Sequence, residues 1–124
     1  MNFRAFLKFW FPVFAYSGII FWASSQPPGA ALPWLFADKF LHLAEYSALG
    51  FLVARALEGD LGLVAARLIM YAFLFSFLYG VSDEWHQSFV PERFPSVTDV
   101  LLNRVGVWLA TWWWIRLDKT ICEC

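Results

Sequence analysis

Asp38, His42 and Glu45 stand at i, i+4 and i+7. That spacing lines all three along one stripe of a helix, with Glu45 roughly 10 Å along the axis from Asp38 at about 1.5 Å per residue. Ser76, Gly80, Asp83 and Gln87 repeat the interval with Glu84 beside them, and Asp99, Asn103 and Gly106 repeat it again. An imidazole nitrogen from His42, with oxygens from Glu45 and from Asp83 or Glu84, is a donor set suited to a divalent metal that activates water. His42, Glu45 and Glu84 are the expected ligands. Without a metal, Glu45 is the expected general base, and His42, Glu45, Asp83 and Glu84 form the expected catalytic set. Lys39 and Arg93 carry the charge to hold a phosphate, and Gln87, Asp99 and Asn103 join them as expected substrate-binding groups. H-x-x-E alone is a common pattern, and neither an H-E-x-x-H run nor a G-x-S-x-G elbow occurs.

Positioning these groups falls to four apolar segments, expected as helices at about 7–23, 38–57, 61–84 and 99–117. Together they form one all-α domain, a four-helix transmembrane bundle over residues 1–124. The first segment, behind Arg4 and Lys8, is expected to be retained as a membrane helix and not cleaved as a signal peptide. Pro12 falls near its start, where a missing amide is best tolerated. Glu58-Gly59-Asp60 reads as the stop of the second helix. Pro91, Pro95, Trp85, His86, Phe89 and Phe94 mark an interfacial loop before the fourth, which ends in the Trp112-Trp113-Trp114 belt. Gly50, Gly80 and Gly106 permit close helix approach.

Composition supports a membrane reading. Hydrophobic residues make up 60% of the chain and charged ones 15%, against roughly 45–50% and about 25% in an ordinary soluble domain. A net charge of -1 leaves no basic surplus for nucleic acid. Cys122 and Cys124 stand too close for an unstrained disulfide and too few for a structural zinc site. With the N-terminus inside, Arg4, Lys8, Arg55, Arg67, Arg116 and Lys119 collect on the inner side, while Lys39, Arg93 and Arg104 fall outside. Both termini are therefore expected in the cytoplasm, with the polar stripes lining an outward-facing cavity.

An ionisable group within a membrane span is functional by default, although the same stripes also suit an internal network in which Arg93 or Arg104 neutralises carboxylates. The leading expectation is a protein that acts on or binds a lipid headgroup or a lipid-linked envelope precursor at the outer leaflet, with hydrolysis as the reaction if it is an enzyme. The alternatives are a small dimeric transporter or lipid- or drug-binding protein with Glu45 as coupling carboxylate, and a structural membrane subunit.

Three blocks in order carry a resemblance: Asp38-Lys39-Phe40-Leu41-His42-Leu43-Ala44-Glu45-Tyr46, then Ser82-Asp83-Glu84-Trp85-His86-Gln87 with Pro91-Glu92-Arg93, then Asp99-Val100-Leu101-Leu102-Asn103-Arg104-Val105-Gly106. They are similar to the VanZ-like family of small bacterial membrane proteins. The resemblance implies a multi-pass protein of the bacterial cytoplasmic membrane and a role in the cell envelope or in resistance to the glycopeptide teicoplanin. The characteristic positions it implies are Asp38, Lys39, His42, Glu45, Tyr46, Asp83, Glu84, Gln87, Pro91, Arg93, Asp99, Asn103 and Gly106.

Overall fold

A computed structural model describes residues 3–27, 35–94 and 96–117, with the backbone alone at 35–38. The described residues are helical, without strands. Helix α1 spans Phe3–Ser24, α2 Leu35–Leu61, α3 Ala65–Gln87 and α4 Val97–Leu117. By length and composition, α1, α2 from Lys39 onward and α3 are long and apolar enough to cross a membrane. Asp99, Asn103, Arg104 and the tryptophans at 108 and 112–114 make α4 less apolar, and its longest contact is with α2.

Pro12 shapes α1. Proline has no amide to offer the carbonyl one turn back and its ring crowds that carbonyl. The chain widens into a π-helical turn over Phe6–Trp10, closed by the Phe11 amide on the Phe6 carbonyl. The Lys8 carbonyl, four residues before Pro12, takes its hydrogen bond from Arg55 Nη1 of α2 at 3.0 Å. A second tie, Trp10 Nε1 to Asp60 Oδ2 at 2.8 Å, fastens the same end. Beyond the π-helical turn, Val13, Ser17, Ile20 and Ser24 turn one stripe inward at helical spacing.

Helix α2 continues through Glu58-Gly59-Asp60, the cluster expected to stop it. The Trp10–Asp60 bond holds that last turn helical. The stop comes at Gly62, which adopts φ +61° and returns its amide to the Glu58 carbonyl at 2.7 Å, a glycine C-cap. Helix α3 accordingly starts later than expected, at Ala65, and carries His86 and Gln87 in its last turn. The connection to α4 shrinks to residues 88–96, with Glu92 in the left-handed region at φ 66°.

Outside and inside are reversed relative to a soluble domain. Phe14, Trp22, Phe40, Leu78, Trp108 and Trp113 are exposed, whereas His42, Asp83, Glu84, Gln87, Asp99 and Asn103 are buried. An apolar surface this extensive suits hydrocarbon as its solvent. The α2–α4 seam is the closest in the bundle. A Cβ on Gly106 would meet the Leu43 carbonyl at 2.6 Å and Ser47 Oγ at 2.9 Å, and one on Gly50 would meet Val107 Cα at 2.9 Å. Only glycine lets these backbones approach so far.

Candidate functional site

Because α3 runs antiparallel to α2 and α4, residues four apart on each helix fall into common layers across the bundle. At one end His42 of α2, Glu84 of α3 and Asp99 of α4 meet, each presenting a ligand atom within 4.8 Å of the others, and all three are buried. One turn inward the same ladders bring Tyr46, Gly80 and Asn103 together, and a Cβ added to Gly80 would lie 3.5 Å from Asn103 Nδ2 and 3.6 Å from the Tyr46 hydroxyl. A further turn inward Gly50 packs on Val107 and closes the column with apolar contact. The sequence thus stacks a charged layer on a neutral polar one, and that on a sealed one.

Burying carboxylates costs several kcal/mol per ion unless neighbours compensate. Asp99 lies 3.2 Å from Lys39 Nζ, whose side chain keeps about a third of its surface exposed. Glu84 Oε2 accepts the Ser96 amide at 3.0 Å, at the start of α4, and Asp99 occupies that helix's first turn. Both carboxylates sit where the helix dipole favours negative charge. Compensation is incomplete. Glu84 Oε1, the Tyr46 hydroxyl and both amide atoms of Asn103 are buried with no hydrogen-bond partner among the described residues, which is uncommon for buried polar groups.

The chain neighbour of Glu84 turns the other way. Asp83 Oδ2 accepts from Gln87 Nε2 at 3.0 Å, and the same nitrogen reaches Ser24 Oγ of α1 at 3.2 Å. Arg93 donates to Gln87 Oε1 at 3.3 Å and to the Gln26 carbonyl at 3.0 Å. His86 stacks on Phe21 at 4.0 Å between ring centroids, with Ser25 Oγ 3.4 Å from its Nε2. These contacts tie the α1–α3 side together. His42 lies between the two groups, near enough to both Asp83 and Glu84 for electrostatic attraction.

A family model described as VanZ/LLP1 matches residues 2–118. The chain belongs to the VanZ-like family. Comparison with curated proteins and with solved structures gave no match. For this VanZ-like chain, the geometry sorts the residues singled out from sequence. His42, Glu84 and Asp99 come together, with Lys39 on Asp99 and Asn103 beneath, whereas Asp83, Gln87 and Arg93 assemble on the α1–α3 side.

Glu45 is not part of the three-ligand group. Three residues beyond His42 it has rotated toward α1 and α3, where its electrostatic neighbours are Tyr16 and Tyr79. Asp99, expected among the substrate-binding groups, completes the cluster with His42 and Glu84. The side chain of Asp38 lies outside the described residues. Arg104, considered as a partner for the carboxylates, lies over the Phe77 ring at 4.1 Å. Tyr46, one of the positions the resemblance singled out, is fully buried beneath His42. The signal for it was its place four residues after His42, opposite a glycine on α3.

Proposed function

We propose that this VanZ-like protein spans the bacterial cytoplasmic membrane with both termini inside, and that its polar end binds the anionic headgroup of a lipid or lipid-linked envelope precursor at the outer leaflet. The observation that carries the reading is the pairing of Lys39 with the buried Asp99 of the three-residue group, with Arg93 at the same end of α3. An ammonium and a guanidinium are the side chains that bind phosphate oxygens. The distribution of lysine and arginine supports this orientation, since Arg4, Lys8, Arg55 and Arg67 fall toward the opposite end. In the metal-free protein, His42, Glu84 and Asp99 are the groups we assign to acid–base chemistry on a bound headgroup. A part in glycopeptide (teicoplanin) resistance, implied by the family resemblance, belongs to the same proposal.

Lipids retained by the purified protein, read by native mass spectrometry from mild detergent, test this. The wild-type chain should retain a stoichiometric anionic lipid or precursor, and a Lys39→Ala/Arg93→Ala double variant should lose it by about tenfold or more. An unchanged lipid complement in the folded double variant would remove the reading.

A further inference from the structure

We propose that His42, Glu84 and Asp99 form a binding site for a divalent transition-metal cation, and that the Lys39 ammonium is its built-in competitor. The inference goes beyond the headgroup reading and does not require it.

Three separate helices deliver one nitrogen and two carboxylate donors to one buried spot within 4.8 Å. Ligand atoms at about 2.0–2.2 Å from one ion stand at most about 4.2 Å apart. Small side-chain rotations therefore suffice to close the set, without helix movement. An imidazole with two carboxylates suits zinc, manganese or ferrous iron better than magnesium or calcium, which prefer all-oxygen sites. A second observation points to a ligand. Glu84 is 6% exposed and Asn103 2% exposed, yet Glu84 Oε1 and both Asn103 amide atoms have no hydrogen-bond partner among the described residues. Glu84 belongs to the donor set itself, and Asn103 stands one turn below Asp99 on the same face of α4. A cation with its bound water satisfies this pattern, because the metal takes the carboxylate oxygen and the water meets the amide and the Tyr46 hydroxyl.

Lys39 gives the site its second property. Its ammonium lies 3.2 Å from Asp99 Oδ1 and takes up a carboxylate that the metal requires. The side chain is partly exposed, so it can swing toward the interface when an ion enters. Metal binding then frees a positive charge at the mouth of the site, and loss of the metal returns it.

Manganese(II) alone, titrated into the full chain in detergent micelles and followed by electron paramagnetic resonance, tests both parts, since manganese avoids the Cys122/Cys124 thiols. The wild type should bind one ion with a nitrogen coupling that His42→Ala removes. Glu84→Gln and Asp99→Asn should each weaken binding about a hundredfold, and Lys39→Met should tighten it about fivefold, as expected for release of a partly exposed ion pair. Absence of saturable binding in both wild type and Lys39→Met overturns the site, as does a bound ion without the nitrogen coupling. Saturable binding that Lys39→Met weakens or leaves unchanged overturns the competitor role. Should the acidic variants fail to fold, the Lys39→Met titration and the His42 coupling still decide the matter.

Discussion

Asp83 and Glu84 are neighbours in the chain and serve two different regions. On the α1–α3 side, Gln87 donates to Asp83 and Ser24 and accepts from Arg93, which also reaches the Gln26 carbonyl. Across α3, Glu84, Asn103 and Tyr46 keep buried polar atoms without hydrogen-bond partners among the described residues. The first region has the character of a latch, with Gln87 linking Asp83 Oδ2, Ser24 and Arg93, although Asp83 Oδ1 has no partner among the described residues. The second is arranged toward something other than protein. Burial does not separate the two. The difference is one of degree in hydrogen bonding, since Asp83 and His86 leave one buried atom each unmet among the described residues whereas Glu84, Asn103 and Tyr46 leave four between them, and an unmet buried group costs about 1–3 kcal/mol.

The contrast can be broken most severely at its common scaffold. Gly106→Leu pushes a side chain into the Leu43 backbone and should cost about 3 kcal/mol or more by overpacking. Thermal unfolding in detergent should show this as loss of the folded species, and a variant as stable as wild type would mean that the α2–α4 seam is looser than described. Next in size is Gln87→Ala, which strands Asp83, Ser24 and Arg93 together and should lower stability by about 2 kcal/mol while leaving manganese binding intact. Loss of binding at unchanged stability would invert the assignment of latch and site. The smallest effect belongs to Asn103→Leu, which keeps the branched outline and the same number of side-chain heavy atoms. Its unfolding free energy should stay within about 1 kcal/mol of wild type, because no protein hydrogen bond is lost. A drop as large as that of Gln87→Ala would show the two regions to be alike.

Helical spacing made the ladders legible, and with them the all-helical fold and the polar stripes carried by three of the helices. Periodicity fixes which residues share a stripe, but not which neighbour the stripe faces. Glu45 sits on the stripe of His42 by sequence, yet a 60° lag across three residues is enough to send it toward Tyr16 and Tyr79. Asp99 could not be ranked above it without knowing that α4 packs against α2 at Gly106 and Gly50. Helix ends were misjudged for a related reason. Glu58-Gly59-Asp60 carries strong local turn chemistry, and a tryptophan fifty positions away overrides it.

The π-helical turn just before Pro12 sets α1 apart from its neighbours. From Pro12 to Ser24 the helix is about 18 Å long at about 1.5 Å per residue, fastened at the near end by Arg55 and Asp60 and steadied midway where the Tyr79 hydroxyl donates to the Ser17 carbonyl. Ser24, which receives the Gln87 hydrogen bond, therefore has its position set from two points further back along α1, one at Trp10 and one at Ser17.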